Sequence, residues 1–172
     1  GGVFSFCLAD LALGSPLKRL EKNVKIELAP RSFIFGEKKT KNNYSAVAID
    51  SLDNIWAAWT KYKRGKERLV LKKYDGKKWG KEIEVSGSGC YVQPSLAGDY
   101  EGGLWVCWSG RVKENWDVYA RYFKNGRGGK TIRLSDHSSP DTNQQIFVDK
   151  NNRLWVCWQS FQFGNSDIFM KY

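Results

Sequence analysis

The sequence predicts an all-β fold, a β-propeller or part of one, with three repeats of about 50 residues and four strands in each. Three observations predict it: a motif with two tryptophans that occurs three times, an aspartate at a fixed distance before each copy, and turn residues between short apolar runs. The copies are 54–59, 103–108 and 153–158. We expect a structural role for their six tryptophans, Trp56, Trp59, Trp105, Trp108, Trp155 and Trp158.

Each repeat is predicted to be a meander of four antiparallel strands. In the second repeat the strands are placed at about residues 94–98, 104–109, 117–123 and 130–135. The second of these is apolar at nearly every position, which indicates that both of its faces are covered. A blade that lies between two other blades has this pattern.

Aspartates recur at two positions of the repeat, six residues before the first tryptophan and nine residues after the second. They are Asp50, Asp99 and Asp149 at the first position and Asp117 and Asp167 at the second. We expect them to accept hydrogen bonds from backbone N–H groups in turns, as short acidic side chains do. Because they recur with the fold, they are interpreted as structural. No metal ligand, cofactor or catalytic residue is assigned.

The repeats predict the organisation of the chain. Residues 1–21 form an N-terminal segment, either a signal remnant or a packed extension, 22–28 an isolated outer strand, 44–90 blade 1, 91–140 blade 2 and 141–172 blade 3. Blade 3 lacks an outer strand of its own, so we expect the strand at 22–28 to complete it. Closed propellers have four to eight blades. The sequence therefore predicts either a piece of a larger propeller or half of a dimeric six-bladed ring.

Composition limits the class of partner and the compartment. The net charge of +10 is concentrated in lysine-rich segments such as 61–66, but no nucleic-acid-binding motif accompanies it. We interpret these segments as a solvated rim and expect no nucleic-acid partner. No apolar run is long enough to span a bilayer.

The cysteines are expected to be mostly free. Cys107 and Cys157 occupy the same position in adjacent repeats. Packed sheets lie about 10 Å apart, too far for a disulfide, so these two are predicted to be buried thiols. Cys7 and Cys90 are left as a candidate pair.

Two stretches carry a likeness to known proteins. Residues 149–158 with 164–169, and 99–108 with 115–119, contain an aspartate, a short turn and a Leu-Trp-Val-x-Trp run, followed by an Asn-x-Asp segment. This pattern resembles bacterial β-propeller repeat proteins of the TolB-like and sialidase-like kind. The resemblance implies a propeller fold and favours an extracellular or periplasmic location, although propellers have many unrelated functions.

Two sets of residues are candidates for ligand binding. Aromatic residues in the loops between the second and third strands, which are predicted to be equal in length, offer stacking platforms for sugars or anchors for a protein, with inter-blade packing as the alternative; they are Tyr62, Trp116, Phe161 and Phe163. Polar residues near the start of each first strand are candidates for the mouth of an axial channel; they are Tyr44, Gln93, Ser95, Asn143 and Gln145.

The predicted function is a non-enzymatic binding or scaffolding module for a protein or glycan partner. A carbohydrate-binding lectin and a fragment of a sialidase-like glycoside hydrolase are the alternatives. Hydrolysis would require an arginine cluster together with an acid/base carboxylate and a nucleophile. The segment 51–56 matches the Asp-box of sialidases only in part, and no complete set of these groups is evident.

Overall fold

The computed structural model describes residues 33–35, 37 and 39–172. The chain divides into two compact units, Gly1–Phe35 and Gly36–Tyr172, and every described strand lies in the second. All regular secondary structure in the described residues is β, which confirms the predicted fold class. The segment 1–21, the strand predicted at 22–28 and Cys7 lie outside the described residues.

The described strands form three antiparallel sheets, and each sheet follows the order of the chain. Blade 1 contains β1 (Lys41–Ile49), β2 (Ile55–Lys63), β3 (Lys66–Tyr74) and β4 (Ile83–Glu84). Blade 2 contains β5 (Cys90–Gly98), β6 (Gly103–Val112), β7 (Asn115–Lys124) and β8 (Arg127–Arg133). Blade 3 contains β9 (Asp141–Val148), β10 (Leu154–Ser160) and β11 (Asp167–Lys171). Blade 3 thus has the three strands predicted for residues 141–172, and the strand predicted to complete it lies outside the described residues.

Several hairpins are tighter than the sequence predicted. Arg64 and Gly65 join β2 to β3 with φ angles of 52° and 78°, and Asn125 and Gly126 join β7 to β8 with 52° and 74°. Two-residue turns with both φ angles positive match the twist of the flanking strands. Pairing therefore continues up to the turn, and the strands extend beyond their predicted ends.

Two apolar cores hold the blades together. The first joins blade 1 to blade 2 through Trp56, Ala58, Leu69, Leu71, Val85, Leu96, Leu104, Val106, Trp108 and Phe123. The second joins blade 2 to blade 3 through Cys107, Val118, Ala120, Val156 and Trp158. Strand β6 contributes to both cores, as its continuous apolar run predicted. Each large side chain buried in this way contributes about 1.5–3 kcal/mol to the free energy of folding.

The three described cysteines are free thiols, which confirms that Cys107 and Cys157 are not paired, although the predicted burial holds for Cys107 only. Cys107 is buried, Cys157 is half-buried and Cys90 is exposed. Burial raises the pKa of the Cys107 thiol well above its usual range, so this thiol stays protonated and unreactive.

No helix in the described part of the chain is long and apolar enough to cross a membrane.

Candidate functional site

Asp50 organises the turn between β1 and β2. Its Oδ1 accepts hydrogen bonds from the backbone N–H groups of Leu52 at 2.9 Å and Asn54 at 3.0 Å. Its Oδ2 accepts a bond of 2.8 Å from Nε1 of Trp56. The carboxylate therefore binds the turn with one oxygen and the following strand with the other.

The equivalent aspartates accept the same pattern of hydrogen bonds, except that Oδ2 of Asp99 has a different partner. Asp149 accepts from two backbone N–H groups and from Nε1 of Trp155 at 2.9 Å. Asp99 also accepts from two backbone N–H groups, but its Oδ2 binds the hydroxyl of Tyr122 at 2.5 Å. A Cβ atom at Gly103 would collide with that hydroxyl. The glycine thus allows the tyrosine to take the place that tryptophan has in the other blades.

The second set of aspartates bonds to side chains rather than to the backbone N–H groups that the sequence predicted. Asp117 is buried and accepts from Arg133 at 2.8 Å and from Nδ2 of Asn115 at 3.2 Å. Asp167 accepts from Nδ2 of Asn165 at 3.2 and 3.3 Å. Asp117 is the third residue of β7 and Asp167 the first of β11, so both carboxylates project from the beginning of a strand.

The polar residues predicted at a channel mouth lie on the first strands, which neighbour one another in the order β1, β5, β9. Tyr44, Gln93 and Asn143 adopt φ angles of 49°, 51° and 57°, and the strand register shifts at each of them. These are three β-bulges at one repeat position. The left-handed backbone is uncommon for non-glycine residues and is tolerated best by asparagine.

Hydrogen bonds connect this polar set between blades 2 and 3. Oε1 of Gln93 accepts from the backbone N–H of Asn143 at 3.3 Å, and Ser95 Oγ donates to Oε1 of Gln145 at 3.5 Å. The fully buried Gln144, which the sequence did not single out, donates from Nε2 to the backbone oxygen of Gln93. Its Oε1 accepts from Ser109 Oγ at 2.5 Å. The structure thus brings four of the five predicted residues together, while Tyr44 is in blade 1.

The aromatic candidates do not form one site. Tyr62 lies in β2 and Trp116 in β7, because two-residue turns shorten the first two loops. The prediction of equally long loops is therefore wrong. Phe161 and Phe163 lie in the six-residue loop between β10 and β11 and are exposed.

A cleft of about 440 Å³ lies between blades 1 and 2, and we call it the interblade cleft. Its wall on the blade 1 side is the connection from β4 to β5. The ring of Tyr119 lies half-buried in its floor and stacks on the buried ring of Trp108 with centroids 6.0 Å apart. Its lining residues are Ser86, Gly87, Ser88, Gly89, Tyr91, Trp108, Gly110, Arg111, Val112, Lys113, Tyr119 and Thr131.

Gly110 keeps the floor of the cleft open. A Cβ atom there would lie 3.2 Å from the ring of Tyr119 and 3.3 Å from Nε1 of Trp108. The equivalent residues of the other blades are Lys61 and Ser160. This departure from the repeat is the sequence signal that could have located the cleft, and it was missed.

The charges at the cleft are positive. Arg111 and Lys113 line it, and none of the described lining residues is Asp or Glu. The nearby carboxylate of Asp117, which pairs with Gly110 across the sheet, is neutralised by Arg133. Burial, with the neighbouring Asp117, raises the pKa of the Tyr119 hydroxyl, so this hydroxyl is a neutral hydrogen-bonding group.

Within the described residues no group of three or more His, Cys, Asp or Glu side chains is arranged to hold a metal ion.

No protein-family model and no curated protein matches the sequence. Solved structures do match. An endo-arabinase from Bacteroides thetaiotaomicron has a TM-score of 0.50 and 12% identity over 74% of this chain and 54% of its own. A Trypanosoma rangeli sialidase has a TM-score of 0.50 and 10% sequence identity, and the match covers 76% of this chain and 28% of the sialidase. A family 117 glycoside hydrolase from Zobellia galactanivorans has a TM-score of 0.50 and 10% sequence identity, and the match covers 84% of this chain and 56% of the hydrolase.

At these identities the similarity establishes the fold alone, and the chain spans about half of the endo-arabinase. The predicted resemblance to sialidase-type propellers is therefore supported at the level of fold, whereas the TolB-like resemblance stays a prediction. The described residues are three blades with the architecture of a β-propeller.

Proposed function

We propose that the chain is a glycan-binding module and that the interblade cleft is its ligand site. The observation that carries the proposal is a cleft of about 440 Å³ lined by the half-buried rings of Tyr91 and Tyr119. The ring of Tyr119 is held by stacking on the buried Trp108. Aromatic faces are suitable surfaces for the apolar faces of sugars. This volume is within the range of small-ligand pockets.

The polar groups around the floor suit a sugar. Ser86, Ser88 and Thr131 line the cleft and supply hydroxyl groups that donate and accept hydrogen bonds. Arg111 and Lys113 add positive charge, although Arg111 also pairs with Glu114 at 2.7 Å. A cleft lined by one sign of charge concentrates ligands of the opposite sign. We therefore propose a glycan that carries carboxylate or sulfate groups.

The structural similarity is consistent with a glycan ligand, because three of the matched proteins are an arabinase, a sialidase and a glycoside hydrolase. Hydrolysis by this chain is the alternative. It would be detected as release of reducing sugar from the glycans that bind. Binding without release favours the module, and release that depends on the cleft favours the enzyme.

The binding experiment is a glycan array followed by calorimetry with one acidic oligosaccharide and its neutral counterpart. Gly110→Ala should weaken binding because its Cβ narrows the floor, whereas Gly129→Ala is the matched control, since its Cβ would meet only a backbone oxygen at 3.6 Å. Lys113→Asn removes a charge at a position with φ of 56° that asparagine tolerates. Lys150→Asn, in an exposed turn of blade 3, is its control.

A second proposal concerns the two outer faces of the blades. On blade 3, Ile168 and Met170 are 74% and 58% exposed, while their repeat equivalents Val118 and Ala120 in blade 2 are buried by blade 3. The same side of blades 2 and 3 is therefore apolar, and within the described residues no blade covers it on blade 3. An uncovered apolar sheet face of this kind marks an interaction surface.

Blade 1 has the complementary face. Val47 is 73% exposed, whereas its equivalent Leu96 is buried against blade 1. Each molecule thus presents both halves of the interface that joins its own blades. We propose that blade 3 of one copy packs on blade 1 of a second copy, and that a dimer of this kind brings six blades together.

A further inference from the structure

Blade 3 contains a buried carboxylate that the fold leaves without a partner. Asp141, the first residue of β9, is 0% exposed, and neither Oδ1 nor Oδ2 has a hydrogen-bond partner among the residues that the structure describes. Ser160 lies directly opposite on β10, is equally buried, and its Oγ also has no partner. Burial of an ionised carboxylate is strongly unfavourable unless a positive charge or a proton compensates it.

A second carboxylate lies in the same row. Ser160 pairs on its other side with Asp167 of β11. Residues directly opposite each other in antiparallel strands point to the same face of the sheet. Asp141, Ser160 and Asp167 therefore form a row of two carboxylates with a hydroxyl between them. We call it the acidic row. Neither aspartate takes part in an ion pair within the described part of the chain.

The equivalent row of blade 2 is electrically balanced. It consists of Tyr91, Gly110 and Asp117, and Arg133 pairs with the single carboxylate at 2.8 Å.

Blade 1 is balanced in a different way. Its row contains Asn42, Lys61 and Arg68. Oδ1 of Asn42 accepts a bond of 3.1 Å from Nε1 of Trp59, and Lys61 pairs with Glu82 at 3.0 Å. Only the acidic row, among the three described, combines two carboxylates with no counter-charge.

We propose that the acidic row binds a divalent cation of the calcium type. Carboxylate and hydroxyl oxygens are hard donors, which Ca²⁺ prefers over softer ligands. A water molecule could satisfy the hydrogen bonds of Asp141 and Ser160, but it would leave the buried charge uncompensated. Because the row supplies two carboxylates, backbone oxygens and water would complete the coordination. We expect a dissociation constant on the order of 10⁻⁴–10⁻³ M, as in weak extracellular calcium modules.

The rival explanation involves Trp158, whose Nε1 is also buried without a partner. In blade 1 the equivalent Trp59 donates to Asn42. If Trp158 donates a hydrogen bond to Asp141, or if Asp141 is protonated, no cation is needed. Asp141→Asn would then leave the stability of the protein unchanged or raise it.

The test is thermal unfolding of the full chain with and without about 10 mM CaCl₂, after treatment with EDTA. We expect Ca²⁺ to raise the Tm by about 4 °C, the shift that a millimolar ligand gives a domain of this size. Asp141→Asn should abolish the shift. Asp117→Asn is the matched control, because it removes the equivalent carboxylate that Arg133 already neutralises, and it should keep the calcium shift.

Luminescence of Tb³⁺ provides a second readout that does not depend on stability. Trp158 lies two residues from Ser160, so its excitation should sensitise Tb³⁺ bound in the acidic row. We expect Tb³⁺ emission from the wild type, and we expect added Ca²⁺ to reduce it by competition. The Asp141→Asn variant should lack this emission, whereas the Asp117→Asn variant should retain it. Absence of any calcium shift in the wild type, or equal emission from the Asp141→Asn variant, would overturn the proposal.

Discussion

Nε1 of Trp56 donates a hydrogen bond of 2.8 Å to Oδ2 of Asp50, six residues earlier in the chain. The same bond joins Trp155 to Asp149 at 2.9 Å. In both places the other carboxylate oxygen binds the backbone of the intervening turn. The recurring aspartate and tryptophan are therefore one structural unit, which fixes the turn relative to the second strand of the blade.

Removal of this unit should destabilise blade 1. Asp50→Ala leaves the buried Nε1 of Trp56 and the buried N–H of Asn54 without an acceptor, and we expect the free energy of unfolding to fall by about 3 kcal/mol. Urea titration followed by tryptophan fluorescence measures it. Asp149→Ala should cause a smaller loss, because that carboxylate is closer to solvent. Equal losses at the two positions would contradict this explanation.

The same carboxylates predict how stability depends on pH. Burial opposes ionisation of Asp50, but hydrogen bonds from Trp56 and Asn54 outweigh it and lower the pKa of Asp50 below its usual value. The bond from Trp155 is the main cause that lowers the pKa of Asp149. The stability that a lowered pKa supplies is complete above the unfolded-state pKa near 4 and is lost as the pH falls through the folded-state value.

The urea midpoint should therefore be constant between about pH 5 and 7 and should fall steadily below about pH 4. The urea midpoint of the Asp50→Asn variant should fall less steeply with decreasing pH, because this variant has one fewer ionised carboxylate to protonate. If the urea midpoint of this variant falls with the wild-type slope below pH 4, Asp50 does not contribute to the pH dependence of stability.

The bulged position of the first strands can be tested by exchange of residues between blades. Tyr44 is exposed and has a φ of 49°, whereas the equivalent Asn143 has a φ of 57°. Because asparagine tolerates the left-handed region better, Tyr44→Asn should raise the free energy of unfolding by about 0.5–1 kcal/mol. Asn143→Tyr should lower it. Chemical denaturation of both variants checks the pair, and a loss of stability in Tyr44→Asn would contradict the interpretation of strain.

Self-association should be measured by light scattering coupled to size exclusion. We expect a mass twice that of the 19.7 kDa chain, and a single-chain mass for Met170→Glu, which places a charge in the exposed face of blade 3. Tyr100→Glu changes an exposed aromatic residue on a turn and is the control. A wild-type chain that is monomeric at about 50 μM would refute the dimer, since stable interfaces of this kind persist at micromolar concentration.

The sequence predicted the fold well because its strongest signals are architectural. The spacing of Asp50 and Trp56, and its repetition, identified the blades, and the continuous apolar run of β6 identified a blade covered on both sides. The binding residues were harder to predict. Tyr62 and Trp116 were placed in loops because the sequence does not show that pairing continues to a two-residue turn.

The interblade cleft was missed for a related physical reason. Its floor is formed by Tyr119, which stacks on the buried Trp108 of the structural motif, and its width depends on Gly110, which has no side chain and so gave no binding signal in the sequence. The sequence also did not identify Asp141 as a candidate site residue, because its lack of a partner depends on which residues lie on the strands beside it.

The most direct test of the central claim is calorimetric titration of the wild-type chain and Gly110→Ala with an acidic oligosaccharide that the array identifies. A narrower floor should weaken the affinity at least tenfold, or about 1.4 kcal/mol, while Gly129→Ala binds like the wild type. Binding that is unchanged in Gly110→Ala, or a wild type that binds no glycan, would contradict a glycan site between blades 1 and 2.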